Sequence, residues 1–277
     1  MDKRRITQIL AALISNSNIK GFFQSNIYKG NLKKICVPGL NCYSCPGAMG
    51  SCPIGSMQAV IGSFKYKFSL YITGFITLMG VIFGRFICGW LCPFGLFQDL
   101  LNKIPSPKIK VNSKVNNVLK YLKYIILLIF VILLPMFLTD EFGMSPPYFC
   151  QYICPVGTLE GGIPLVLMNE SLRGAIGFLF AWKMTILIVT IIVSILIYRP
   201  FCRYICPLGA FYGLFNKISF LKYKVDKNKC TSCKVCLKKC KLDLEVYKNP
   251  NSIECIRCGE CIKVCPAEAI KQIKPIE

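Results

Sequence analysis

The sequence predicts a mainly α-helical chain in two parts. A transmembrane helical domain built from two tandem pseudo-repeats spans residues 1–222, and a small C-terminal α+β domain spans residues 223–277. Three observations carry this reading. Of 277 residues, 54% are hydrophobic, and three stretches hold no charge at all: Phe68 to Gly84, Tyr124 to Thr139 and Met184 to Tyr198. The tetrapeptide Cys-Pro-apolar-Gly recurs at Cys52, Cys92, Cys154 and Cys206. The last quarter of the chain gathers eight of the 18 cysteines in two runs of identical spacing.

Each apolar stretch is a little short of the roughly 20 residues that cross a bilayer. Tyr66 and Lys67, Tyr121 and Lys123, Trp182 and Lys183, and Arg199 extend them, because such side chains snorkel to the interface. Lys103, Lys108, Lys110, Lys114, Lys120 and Lys123 form a loop without acids, which reads as cytoplasmic. Asp140, Glu141, Glu160 and Glu170 stand against Arg173 alone in the next connection, which reads as external. Arg199 and Arg203 return the chain to the cytoplasm, so the C-terminal domain lies there and the protein is a multi-pass component of the cell membrane. Ile6 to Phe23 is a further candidate crossing, interrupted by Asn16, Ser17, Asn18 and Lys20. A signal peptide is its rival, but no small-x-small cleavage site follows.

Internal repetition organises the membrane part. Cysteines four positions earlier give the pairs Cys88/Cys92, Cys150/Cys154 and Cys202/Cys206. The block from Arg85 through Cys88 and Cys92 matches the block from Arg199 through Cys202 and Cys206, and both continue to Asn-Lys-Ile, at Asn102 and Asn216. Proline is tolerated at the first helical position, so each preceding cysteine is placed at an N-cap. Free N–H groups and the positive end of the helix dipole there suit an anionic ligand. Phe94 to Ile104 and Leu208 to Ile218 read as amphipathic helices behind two of the motifs.

The C-terminal runs are Cys230, Cys233, Cys236 and Cys240, then Cys255, Cys258, Cys261 and Cys265 with Pro266. Both read C-x2-C-x2-C-x3-C, the two-cluster bacterial ferredoxin pattern, in which the fourth cysteine of each run serves the other cluster. One [4Fe-4S] cluster is therefore expected on Cys230, Cys233, Cys236 and Cys265, and a second on Cys255, Cys258, Cys261 and Cys240. Structural zinc also uses C-x2-C pairs but gives no reason for the triplet-plus-one spacing. The first run has Lys241 where the second has proline.

In the membrane part, Cys88, Cys92, Cys202 and Cys206 share the cytoplasmic side and together complete the ligand set of one more [4Fe-4S] cluster. Cys36, Cys42, Cys45, Cys52, Cys150 and Cys154 stand on the external side. Six thiols exceed one cubane, so either two are spare or an outer cluster has unusual ligation. Repeat logic favours Cys150, Cys154 and Cys52 with either Cys42 or Cys45, and a disulfide framework is the alternative.

The net charge of +21 does not signal a nucleic-acid partner, since the lysines are scattered over loops and membrane flanks rather than gathered on one recognition module. Anionic membrane lipid and the clusters suffice. There is no histidine, which removes the ligands of a bis-histidine haem or Rieske centre and the commonest proton shuttle.

The C-x3-C-P pairs, the apolar spans and the double-ferredoxin terminus, from Phe68 onward, resemble the NapH/NosR-type membrane polyferredoxins of nitrate and nitrous-oxide respiration. The resemblance implies an electron conduit between the quinone pool or cytoplasmic donors and extracytoplasmic reactions. Redox partner proteins are expected on the cytoplasmic and external sides. Cys36 to Gly55 and the pair Cys150/Cys154 depart from the simple two-pair pattern. A carrier fits better than a complete enzyme, because no general acid, base or substrate pocket is visible. A quinol-oxidising subunit, and a redox-sensing or cluster-assembly factor, are the other classes.

Overall fold

A computed structural model of the chain describes residues 3–24, 26–63, 70–109, 111–140, 144–174 and 176–273. Tyr66, Lys67 and Phe68, as well as Lys110 and Glu141, lie outside the described residues. Helices dominate the remainder, with one two-stranded sheet near the C-terminus.

The N-terminal stretch is two helices rather than one, α1 (Lys3–Ser15) and α2 (Ile19–Gln24). Asn16 Nδ2 donates to the Ala12 carbonyl at 3.1 Å and Ser17 Oγ to that of Ile14 at 3.1 Å. Polar side chains thus take the last carbonyls and end the helix. At about 1.5 Å per residue α1 is roughly 20 Å long. It packs on α5 (Phe86–Trp90) and α6 (Pro93–Leu101).

The loop before α3 (Pro53–Gly62) runs inward to α6, and Tyr212 Oη donates to its Pro38 carbonyl at 3.0 Å. The apolar helix α4 (Leu70–Phe83) follows. Helix α7 (Ser113–Ile126) then continues through a π-wound Leu127–Leu133 into α8 (Leu134–Phe137). The supposed lysine loop is therefore half helix. Asn112 caps it by accepting from the Lys114 N–H at 3.2 Å, the role a short polar side chain plays at an N-cap. Asn116 and Lys123 are buried, while Val115, Val118, Ile125 and Leu128 point outward. Lys114 and Asn117 are also exposed, but from Tyr121 onward the outward face is apolar, which suits a surrounding hydrocarbon phase.

Short helices α9 (Tyr148–Tyr152), π-wound Gly157–Gly162 with α10 (Ile163–Met168), and α11 (Glu170–Arg173) lead to α12 (Phe178–Leu196). This helix begins before Met184, so Trp182 and Lys183 lie within it rather than flanking it. Lys183 Nζ donates to the Cys150 carbonyl and Trp182 Nε1 to that of Tyr152. Residues 114–137 and Phe178–Leu196 are the two helices among the described residues long and apolar enough to cross a membrane. α12 also turns Thr190 and Ser194 inward and Ile188, Val189 and Ile192 outward.

Helices α13 (Pro200–Tyr204) and α14 (Pro207–Phe215) bring the second motif against the first, with Phe94 meeting Phe201 edge-on at 5.2 Å. The C-terminal part contains β1 (Lys222–Val225) antiparallel to β2 (Ile270–Ile273), with Lys222 opposite Ile273, and the one-turn helices α15 (Val235–Lys239) and α16 (Glu260–Lys263).

Candidate functional site

The two C-terminal runs fold alike. Ser232, Lys234 and Asp243 in the first, and Arg257, Gly259 and Glu268 at the equivalent places in the second, all have positive φ. A non-glycine residue there costs about 1–2 kcal/mol. What it gains is a concave row of N–H groups facing an anion. Cys230, Cys233, Cys236 and Cys265 line one cavity. Cys240, Cys255, Cys258 and Cys261 line another. The fourth cysteine of each run thus joins the other run's triplet, in the crossed arrangement expected from spacing. Burial pushes the Cys255 thiol up to about 11 and Cys261 to about 12, values at which bound metal charge is needed to hold them as thiolates. Among the described residues no three Cys, Asp or Glu side chains converge as a single metal ion requires. A cubane spreads its four ligands over separate corners, which fits these cavities better than zinc with its bonds of about 2.3 Å.

Cys88, Cys92, Cys202 and Cys206 come together although two come from each half of the chain, and the thiols lie within electrostatic reach of one another. Cys92 and Cys206 are the N-caps of α6 and α14, with proline at the first helical turn. The surrounding contacts are reciprocal. Arg85 Nη2 donates to the Cys202 carbonyl at 3.1 Å, and Arg199 Nη1 donates to that of Cys88 at 2.6 Å. A Cβ on Gly95 would stand 2.9 Å from the Cys88 carbonyl oxygen, and one on Gly209 3.2 Å from that of Cys202, so glycine is what lets each helix start this close. Gln98 Nε2 donates to the Cys202 sulfur at 2.9 Å.

Reciprocity fails at two adjacent positions. Tyr212 stands where the first half has Gln98, and its hydroxyl donates to the Pro38 carbonyl rather than to a cysteine sulfur. Arg199 makes a two-pronged pair with Asp99, at 2.7 and 2.6 Å, and Arg4 joins it at 2.5 Å. Burial pushes the Asp99 carboxyl up, but Arg199 and Arg4 outweigh it and hold it below the ordinary carboxylate range. The residue of the second half that matches Asp99 is Gly213, so Arg85 has no such partner. Glu254 of the C-terminal part supplies it, at 2.7 Å from Arg85 and 2.6 Å from Lys123. Burial again raises this carboxyl, and Arg85 with Lys123 again overcomes it. Arg257, fully buried, donates to the carbonyls of Phe83 and Asn216 and to Ser219 Oγ at 2.7–2.8 Å. Trp90 Nε1 donates to the Arg257 carbonyl at 2.9 Å. The loop that carries Cys255 and Cys258 is thereby seated on the turn that carries Cys88.

Of the six remaining cysteines, Cys42, Cys52, Cys150 and Cys154 line one cavity. Cys36 and Cys45 lie outside it, Cys36 paired through its backbone with Ser51 and Cys45 with its sulfur 3.6 Å from Asn16 Oδ1. All 18 are free thiols. Gln58 Nε2 donates to the Cys150 sulfur at 3.3 Å, its Oε1 accepts from the Phe149 N–H, and Glu160 accepts from the Cys42 N–H at 2.7 Å. Of the two candidates for fourth partner, Cys42 and not Cys45 stands with this group. Tyr212 has Cys88 and Cys92 on the one hand and Cys36 and Cys52 on the other within electrostatic reach of its phenol. The Cys36 to Gly55 segment is thus folded against the inner motif, and a Cβ on Gly39 would stand 2.9 Å from Cys92 Cα. Sequence reasoning passed over Gln58, Gln98, Asp99, Tyr212, Glu254 and Arg257. The repeat alignment carries a signal for three of them, through the contrasts of Gln98 with Tyr212 and of Asp99 with Gly213.

A family model described as a 4Fe-4S binding domain matches residues 68–112, 123–163 and 179–227, each block holding one C-x3-C-P pair, and a second of the same description matches 251–271. The Uncharacterized protein MJ0750 of Methanocaldococcus jannaschii is 33% identical over 201 residues, 70% of this chain and 74% of its own. The Ferredoxin-type protein NapH of Escherichia coli is 26% identical over 226 residues, 77% of this chain and 71% of its own. The Regulatory protein NosR of Pseudomonas aeruginosa is 27% identical over 190 residues, 66% of this chain but 23% of NosR, so the chain spans about a quarter of that relative. No solved structure matches. With its cysteines gathered in four groups and with these relatives, the chain belongs to the NapH/NosR-type iron–sulfur polyferredoxins.

Proposed function

We propose that this protein is a membrane-bound electron wire of four [4Fe-4S] clusters, with a membrane part over residues 1–222 and a two-cluster ferredoxin domain over 223–277. Cluster one takes Cys230, Cys233, Cys236 and Cys265; cluster two takes Cys255, Cys258, Cys261 and Cys240. An inner cluster takes Cys88, Cys92, Cys202 and Cys206, between two tandem pseudo-repeats. An outer cluster takes Cys42, Cys52, Cys150 and Cys154. Each cluster, when bound, accepts or gives up one electron at a potential set by charge, burial and hydrogen bonds to sulfur.

The observation that carries this reading is the contiguity of the quartets. Cys233 is exposed and gives a cytoplasmic redox protein access to cluster one. Cluster two adjoins it through the crossed cysteines. The Ile256 carbonyl rests on Gly89, beside Cys88. Tyr212 and the Pro38–Leu40 stretch connect the inner quartet to the outer. Arg85 and Arg199 place positive charge beside the inner thiolates, Gln98 and Gln58 donate to sulfur, and the enclosing apolar side chains exclude water. The chain crosses the membrane several times, with the ferredoxin domain in the cytoplasm and the outer quartet towards the opposite side.

The test is a pair of single variants of the full-length protein purified without oxygen. Cys92→Ser and Cys206→Ser should each remove the same EPR signal and about four irons, and the double variant should lose no more, as residues acting as a unit require. Loss of two different signals, or no loss of iron, would remove the shared inner cluster from the wire.

A further inference from the structure

A groove of about 690 Å³ lies between the end of α12 and the ferredoxin domain. Five cations line it, Lys108, Arg203, Lys238, Lys239 and Lys241, against one carboxylate, Asp243. Arg203 approaches Asp243 at 3.6 Å; no carboxylate among the described residues pairs with Lys238, Lys239 or Lys241. Lys108 Nζ is held on the Ile195 carbonyl at 2.8 Å, which fixes its charge at the last turn of α12. The other wall is apolar, built from Ile109, Val111, Leu196 and Ile197. That wall runs on into the outward face of α12 at Ile192, Val189 and Ile188, all about half exposed.

We propose that this groove binds one anionic phospholipid, with its phosphate among the five cations and its acyl chains along the outward face of α12. The inference rests on the membrane reading above. A spanning helix of 19 residues is about 28 Å long, near the roughly 30 Å of a hydrocarbon core, so its end stands at headgroup depth. Basic pockets at that depth on the cytoplasmic side attract anionic lipid. An acidic protein is the rival occupant. A concave site with an apolar wall continuous with a lipid-facing helix favours an amphiphile, and the exposed Cys233 offers a protein donor a different place to dock. Seated here, the lipid ties α12 to α15, and so the membrane part to the turn that carries Cys240.

The experiment uses the full-length protein in nanodiscs of equal phosphatidylglycerol and phosphatidylcholine, released and weighed by native mass spectrometry. The wild type should keep one phosphatidylglycerol and no phosphatidylcholine. Lys108→Gln with Lys238→Gln should weaken retention about 30-fold, roughly fivefold for each lysine near the surface, with iron content unchanged. Millimolar inorganic phosphate should not displace the lipid. Equal retention of both lipids by the wild type overturns the inference whether or not the variant folds. So does unchanged retention in a variant of full iron content, displacement by inorganic phosphate, or a variant that loses binding of an acidic ferredoxin while keeping its lipid. A protein that leaves the membrane fraction without detergent would instead refute the membrane reading itself.

Discussion

Glu254→Gln isolates the contact that seats the ferredoxin domain on the inner quartet. Its side chain is 6% exposed, that of Arg85 2% and that of Lys123 0%. A neutral amide there removes the one carboxylate that pairs with these two buried cations among the described residues. Breaking a buried ion network by removing one partner costs about 3–5 kcal/mol. The cost should appear as a lower free energy of opening for residues 253–257, read by hydrogen exchange on the full-length protein in nanodiscs. Glu245→Gln, which breaks the exposed pair with Lys248, should change nothing measurable. Replacing the whole network together, Arg85→Met with Lys123→Met and Glu254→Leu, should recover most of the loss, because apolar groups leave no charge stranded. Acid provides an independent arm. The Glu254 carboxyl sits below its ordinary 4.5, so its contribution is complete above that pH and disappears as pH falls through the lower folded value. An opening free energy for Glu254→Gln within about 1 kcal/mol of wild type would refute the reasoning, since it would mean that water reaches Arg85 and Lys123 at little cost.

Other outcomes follow from the remaining sites. Cys240→Ser should abolish the EPR signal of cluster two and Cys265→Ser that of cluster one, the reverse of what uncrossed ligation gives. Cys42→Ser should remove about four irons with the outer signal, whereas Cys45→Ser and Cys36→Ser should leave both in place. Gly89→Ala drives a methyl into the Ile256 carbonyl oxygen. It should weaken seating of the ferredoxin domain by about 1–3 kcal/mol, seen as faster hydrogen exchange at residues 253–257 with all clusters retained. Protease sites inserted near Lys114 and beside Glu160 should be cut by an impermeant protease from opposite faces of sealed vesicles; cutting from one face would contradict a wire across the membrane.

Spacing made much of this legible. The spacing of the two ferredoxin runs sets Cys265 with the first triplet and Cys240 with the second, and each foursome lines one cavity. The repeated blocks around Arg85 and Arg199 point to Cys88, Cys92, Cys202 and Cys206, which lie near one another. Cysteine before proline announced the N-caps of α3, α6 and α14. Helix starts were less legible. Lys114, Lys120 and Lys123 resemble a solvated loop until Glu254, far along the chain, turns Lys123 inward. The choice of Cys42 over Cys45 was hidden for the same reason. Both lie in one short loop, and what separates them is the Glu160 carboxylate holding the Cys42 N–H and Asn16 facing the Cys45 sulfur. Contacts between residues so distant in sequence leave no periodic trace.

A core that looks the same from two directions offers any docking domain two equivalent addresses, and a conductor with two entrances can be short-circuited. Aspartate at 99 occupies one address from within, whereas glycine at 213 leaves the other bare. The missing carboxylate acts as a key cut for a single incoming loop, the one that carries Glu254. This broken symmetry marks which arginine the Glu254 loop meets, and it can be transplanted: exchanging the two residues should move the preferred berth to the opposite face without altering any cysteine.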